Sequence, residues 1–359
     1  MNKKILALGA ALCLPLTAAF AQQTPKPIAR HLVYASAFEE AALNAAEPAT
    51  EKSRLAQLLA IKPGANEAQL AHATTVLANV YAQVDATRPE GKSLAKRVRT
   101  IFDIVHKDFL SKYEDKATFD QTISSGVYNC VSVSALYSLI FEHYRIPYAI
   151  KQKPTHVYVV ADPEGSNILV EATDPQGGYF LPDARFKKAY VEYLAEHKLV
   201  SQEEVARLGT EEVFKQKFQA DKTISLTQLI SLQYYNKGVL ALTEEAPEES
   251  YQALQKVEKL FPAVETKYLL LESLRHRLSG ISYSKIEEVE LLADFYARQP
   301  GTKFRDEAVN DFRVLTQKFL STKATPPPTA ASTKSFRPAW PIRAHGALFH
   351  LSITCSGGA

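Results

Sequence analysis

Between residues 129 and 182 the spacing of apolar side chains changes twice, and this change constrains the fold more than any other feature. Val133, Leu136, Tyr137, Ile140, Phe141 and Tyr144 recur at i, i+3, i+4, i+7, i+8 and i+11, the stripe of a helix with one continuous apolar face. Asn129 stands before it as a good N-cap. Residues 147–153, 155–161 and 167–173 then read as β-rich runs, and Asp162-Pro163-Glu164-Gly165-Ser166 has the chemistry of a turn. A short helix followed by a hairpin, set in an otherwise helical chain, predicts an α+β fold with a small antiparallel sheet in its middle.

The flanks are helical in pattern. Residues 38–46, 51–61 and 67–86 are rich in Ala, Leu and Glu, and Pro63-Gly64 and Pro89-Glu90-Gly91 separate them. In residues 92–112, Leu94, Val98, Ile101, Phe102, Ile104, Val105, Phe109 and Leu110 recur near the helical period. From 183 to about 322 the chain again reads as helix. There, Tyr234-Tyr235-Asn236-Lys237-Gly238, Tyr251, Ala253, Leu254, Phe261 and Pro262 resemble one tetratricopeptide repeat, with residues 264–279 and 282–297 as a further helical pair. An ordinary helical domain accounts for the same pattern. Thr325-Pro326-Pro327-Pro328-Thr329 opens a tail without periodicity. The resulting divisions are a leader at 1–21, an N-terminal helical region at 22–91, a core at 92–182, a helical domain at 183–322 and a disordered tail at 323–359.

The leader has the form of a secretory signal. Lys3 and Lys4 precede an apolar run that ends in Ala19-Phe20-Ala21, a small-x-small cleavage pattern. That run is short for a membrane span, and no later segment is long and apolar enough to be one. An exported protein, periplasmic or secreted, is expected. The net charge of +3 includes both leader lysines, so the remaining body is nearly neutral, which argues against a nucleic-acid partner. No cysteine or histidine spacing suits a metal, and no cofactor motif is present.

Beyond the leader, Cys130 and Cys355 are the only cysteines. Cys130 is three residues before Val133, in the first turn of the expected helix, where unpaired N–H groups and the helix dipole favour an anion. His156, Tyr158 and Val160 share one face of the next-but-one run, and Val170, Ala172 and Asp174 share one face of the run after it. A hairpin closed by residues 163–167 pairs 162 with 168 and 160 with 170, and so sets His156 directly across from Asp174. A one-residue slip would separate them onto opposite faces. In this register Cys130 is a nucleophile, His156 its base and Asp174 the group that orients the imidazole. Taken singly, each has a plainer explanation: a buried thiol, a structural histidine, a turn aspartate.

At these residues the chain resembles the transglutaminase-like superfamily, which has the papain-like cysteine fold. Tyr128-Asn129-Cys130-x-Ser132-x-Ser134-Ala135-Leu136, Tyr144-x-Ile146-Pro147-Tyr148, Pro154-Thr155-His156-Val157-Tyr158 and Glu171-Ala172-Thr173-Asp174-Pro175 carry the resemblance, within residues 92–182. It implies a Cys130–His156–Asp174 triad. It also implies an oxyanion donor upstream of the cysteine, for which Tyr113, Gln121 and Tyr128 are available. The expected function is a cysteine hydrolase or peptidase that cleaves peptide or amide bonds in a protein or peptide substrate. Glutamine acyl transfer to an amine is the second enzymatic reading. A non-catalytic scaffold that binds a protein partner through its C-terminal helices is the third.

Overall fold

The computed structural model describes residues 32–45, 50–218, 220–299 and 302–324. The expected leader, Cys355 and the tail from residue 325 lie outside the described residues. Among the described residues the fold is mostly helical, with a five-stranded antiparallel sheet in the middle region.

Four helices open the described residues: α1 (Ala37–Asn44), α2 (Glu51–Leu59), α3 (Glu67–Ala86) and α4 (Leu94–Ile104). A π-helical turn, Val105–Phe109, ends α4. Two-residue strands β1 (Lys112–Tyr113) and β2 (Val127–Tyr128) pair in parallel around α5 (Phe119–Ser125). Next come α6 (Cys130–His143), β3 (Tyr148–Lys153), β4 (His156–Ala161), β5 (Ile168–Val170) and β6 (Tyr179–Phe180). Three helices, α7 (Ala184–Glu196), α8 (Gln202–Leu208) and α9 (Thr210–Phe218), precede β7 (Lys222–Ile224). The described chain ends in α10 (Leu226–Thr243), α11 (Pro247–Leu260), α12 (Val264–Ser279), α13 (Ile286–Ala297) and α14 (Thr302–Ala324). Many of these helices start where the sequence offers a capping side chain. Ser36, Thr50, Asn66, Asp183, Ser201 and Ser225 each accept an N–H of the first turn.

Helix α6 is the centre of the first core. Every residue from Cys130 to Phe141 is buried, so the helix has no solvated face. One side packs on β3 and β4, where Ile150, Val157, Val159 and Ala161 join its core; Leu226, Leu229 and Ile230 of α10 belong to the same core. The sequence shows one apolar stripe because Ser132, Ser134 and Ser138 interrupt the other positions, among which Val131, Ala135 and Leu139 are apolar as well.

A helix start this deep must find hydrogen-bond partners within the protein. Asn129 Oδ1 accepts from Ser132 N at 2.9 Å, and Asn129 N donates to Ser132 Oγ at 3.0 Å, which closes a capping box with serine as its second member. Asn129 Nδ2 donates to the carbonyls of Asp115 and Ala117 at 3.0 and 2.9 Å. Thr122 Oγ1 donates to Ser132 Oγ at 2.8 Å. The loop and α5 before the helix are thereby fastened to its first turn.

The sheet order is β6-β5-β4-β3-β7, with every neighbouring pair antiparallel. Its fifth strand is drawn from beyond residue 182. The β4–β5 register differs by one residue from the expected one. Val159 pairs with Val170, Val160 with Leu169 and Ala161 with Ile168. The connecting loop is the cause. Asp162 (φ 52°) and Asn167 (φ 54°) both take the left-handed conformation that Asp and Asn tolerate best. Asn167 N donates to Asp162 O at 2.9 Å, and Ser166 N to Asp162 Oδ2 at 2.6 Å. Asp162 therefore belongs to the loop, and the ladder closes one pair earlier. His156 is not across from Asp174.

A second core joins α10 to α14 and takes in Leu43 and Ile61. The stretch likened to a tetratricopeptide repeat forms the packed pair α10–α11. Gly238 lets the two helices touch: a Cβ there would lie 2.7 Å from Leu254 Cγ. Lys256 and Glu39 form a buried ion pair at 2.8 Å, and Tyr234 Oη donates to Glu39 Oε1 at 3.0 Å, so α1 is held against α10 and α11. The α7–α9 segment has a small core of its own, with Val191, Val213 and Phe214. No described helix is long and apolar enough to cross a membrane.

Asn129→Ala removes one helix cap and leaves two carbonyls without their donor. A loss of about 3 kcal/mol is expected. Urea unfolding should show it as a lower midpoint at unchanged slope.

Candidate functional site

Cys130 is the first residue of α6, carries a reduced thiol and is 0% exposed. The chain reaches His156 by doubling back. Helix α6 has 14 residues and β3 has 6, and both are about 20 Å long at 1.5 and 3.3 Å per residue. β3 packs beneath the helix after a short turn in which Ile146 N bonds Phe141 O. Its far end, and the two-residue turn into β4, therefore return towards the start of α6. His156 is the first residue of β4, paired with Lys153.

His156 Nε2 lies 2.6 Å from Glu171 Oε2, with side chains 18% and 26% exposed. A carboxylate can only accept, so the proton is assigned to Nε2, and Nδ1 is then the basic nitrogen. Glu171 is itself held: its Oε1 accepts from Thr173 Oγ1 at 2.6 Å. The shifted register explains this pairing. With Val159 opposite Val170, residues 169 and 171 share the face of His156 and Tyr158. The ring of Tyr158 stacks near His156 at 6.2 Å, and its hydroxyl donates to Asp221 Oδ2 at 2.7 Å.

Asp174 has another place. Its Oδ1 accepts from Gln176 N and Gly177 N at 3.0 and 2.8 Å and so builds the turn after β5. Its charge acts on Tyr128 and His106. The expectation that Asp174 orients His156 is corrected: Glu171 is the carboxylate on that imidazole. Glu171 was visible inside the run that resembles the superfamily, but a five-residue loop put it on the wrong face.

His106 was not anticipated. It lies in the π-helical turn, 4.2 Å from the ring of Phe102 and 6.3 and 6.5 Å from those of Tyr137 and Tyr128. Its Nε2 is buried without a partner. Burial lowers its pKa to about 4 against the opposing pull of Asp103 and Asp174. Nothing in the apolar period of residues 92–112 marks it. Of the possible oxyanion donors, Gln121 is engaged in capping, with its Oε1 on Thr118 N at 2.9 Å, and Tyr113 Oη donates to Asp115 at 2.7 Å. Tyr128 is 4% exposed, two residues before Cys130, and burial followed by the charge of Asp174 raises its pKa.

A cavity of about 650 Å³ adjoins the first turn of α6. Asn129 and Val131, the neighbours of Cys130 in sequence, form part of its wall; Ala117, Gln233 and Leu240 form another part. No family model, curated protein or solved structure matches the chain.

The lowered pKa of His106 makes a prediction about acid stability. Above pH 6.5 the imidazole is neutral in both folded and unfolded chains. Below it the unfolded chain takes up a proton that the folded one refuses, so stability falls from pH 6.5 towards about 4. The loss is at most about 3 kcal/mol at 1.36 kcal/mol per unit. Urea midpoints between pH 7 and 4 should fall less steeply in His106→Gln than in the parent chain.

Proposed function

We propose that this chain is an exported cysteine hydrolase of transglutaminase-like type, acting on peptide or amide bonds. The observation that carries the reading is the 2.6 Å bond between His156 and Glu171 at the end of β4 that returns towards Cys130. An imidazole fixed by a carboxylate near a thiol at a helix N-terminus is the combination that nucleophilic catalysis requires.

In this reading Cys130 Sγ attacks the carbonyl carbon and its proton passes to His156 Nδ1. The C–N bond breaks, the imidazolium returns the proton to the leaving amine, and an acyl-thioester remains. Water then adds to the thioester, with His156 taking one proton. The carboxylic acid leaves and the thiol is restored. Glu171 holds the tautomer and supports the imidazolium. Asp174, by its charge near Tyr128, shapes the wall beside the nucleophile. The substrate is a peptide or protein segment, and helices α10–α14, tetratricopeptide-like in their α10–α11 pair, dock a protein partner. Periplasmic or secreted placement rests on the leader sequence. The full burial of Cys130 favours a second reading, a transglutaminase-like scaffold without catalysis, in which the helices alone do the binding.

Alkylation of folded protein by iodoacetamide, read at Cys130 by peptide mass, separates the two. A nucleophile reacts well below the ordinary thiol pKa of about 8.5. The expected outcome is modification near pH 6.5, slowed about tenfold or more by His156→Ala and nearly as much by Glu171→Gln. Asp174→Asn should stay within about twofold of the parent, because its carboxylate is not bonded to His156. A Cys130 that alkylates only on unfolding leaves the scaffold reading. Free acid released from a glutamine peptide, against amine incorporated into it, distinguishes hydrolysis from transfer.

A further inference from the structure

Cys130, Ser134 and Tyr137 follow one another on a single stripe of α6, at i, i+4 and i+7. Ser134 Oγ and Tyr137 Oη are both buried without a hydrogen-bond partner, on residues 1% and 0% exposed. Against this stripe stands His106, whose Nε2 is in the same condition. Its ring is bracketed by Tyr137 at 6.3 Å and by Tyr128 at 6.5 Å. Buried polar atoms in folded proteins are almost always satisfied, by protein or by internal water. His106 faces Tyr137, and Ser134 lies one turn before Tyr137 on the same stripe, which supplies the two to four polar partners that a bound water needs.

We infer that a water bound between the π-helical turn and α6 joins Tyr137 Oη to His106 Nε2, with Ser134 Oγ as its third partner, and that through it His106 is a positioning residue for Cys130. The inference rests on the reading of Cys130 as a nucleophile. The π-helical turn is the device: such turns add a residue to a helix and redirect a side chain, and they occur often at functional sites. The groups that face His106 are Asp103 of α4, Asp174 beyond β5, Tyr128 of β2 and Tyr137 of α6. The imidazole stays neutral, so it acts as a hydrogen-bond partner and not as a charge. The wall it braces, from Tyr128 into the first turn of α6, is the one that carries the thiol.

The test uses the full chain and the near-isosteric Tyr137→Phe. Losing a hydroxyl that bonds a water lowers Tm by roughly 2 °C or more, whereas losing one that bonds nothing leaves Tm unchanged or raises it. The second result overturns the inference. The positioning role is read in the pH profile of Cys130 alkylation by iodoacetamide. Tyr137→Phe and His106→Leu are expected to shift it in the same direction by about half a unit, and His106→Gln to restore at least half of the shift. A lower Tm with an unmoved profile overturns the positioning role and leaves only a structural water. An unreactive Cys130 in the parent chain refutes the hydrolase instead, and the Tm comparison still decides whether the water is there.

Discussion

The structure depends on Asn129 because it begins a helix that solvent does not reach. A surface helix can leave its first N–H groups to water, but a buried one cannot. Asn129 answers with all of its polar atoms. Its Oδ1 accepts from Ser132 N, its N–H donates to Ser132 Oγ, and its Nδ2 donates to the carbonyls of Asp115 and Ala117. Those bonds bring the 115–117 loop to the start of α6 and place β2, with Tyr128, immediately before it. The wall around Cys130 is therefore a consequence of satisfying a buried helix terminus. The same bonds that make the helix possible arrange the groups next to the thiol.

The sheet contributes the second half of the site through a detail of its loop. Two residues in left-handed conformation, Asp162 and Asn167, decide that Ala161 pairs with Ile168. Because strand faces alternate, a shift of one residue exchanges which acidic side chain shares the face of His156. Glu171 enters and Asp174 leaves. The carboxylate that binds His156 is thus selected by the backbone conformation of Asp162 and Asn167, in the loop between the two strands. Asp174 is not idle in its new place: it closes the turn through Gly177 and lends its charge to the pocket of His106 and Tyr128.

Much of this was legible in the sequence, and the failures have definite causes. The period of 3.6 located α4 and α6 and alternating faces marked β4, because burial of one face or stripe leaves that mark, while composition and turn residues located α3 and β3. The cap at Asn129 was visible because only a few side chains can reach the first turn. The complete burial of α6 was not, since Ser132, Ser134 and Ser138 read as a polar side while they are in fact sealed beneath the rest of the core. Hairpin register was beyond reach because both loop lengths are compatible with Asp162-Pro163-Glu164-Gly165-Ser166, and only the φ of Asp162 chooses. β7 was hidden by its brevity: three residues paired on an edge have too little pattern to stand out among helices. His106 was hidden for a different reason. A π-helical turn changes the count of residues per turn, so a side chain that α-helical spacing leaves unremarked is brought against α6.

The two cores share one helix, and this limits how they can move. Leu226, Leu229 and Ile230 of α10 lie in the core of α6, while Tyr234, Val239 and Leu242 of the same helix lie in the C-terminal core. Gln233, at the junction, accepts from Phe119 N at 3.0 Å and also helps wall the cavity beside Cys130. Closely packed interiors deform little, so a continuous helix transmits displacement as a nearly rigid rod. From its middle onward α10 is fixed to α1 through Tyr234 and Glu39 and to α11 by the Gly238–Leu254 contact. A shift of α11 against α1 breaks the buried Lys256–Glu39 pair, whereas α1 and α11 moving together keep it and carry α10 through Tyr234 and Gly238. Breaking a buried ion pair is strongly unfavourable, about 3–5 kcal/mol when one partner is lost. The less costly course keeps α1, α10 and α11 together, and Gln233, Val239 and Leu240 of α10 tie the cavity wall beside Cys130 to that unit.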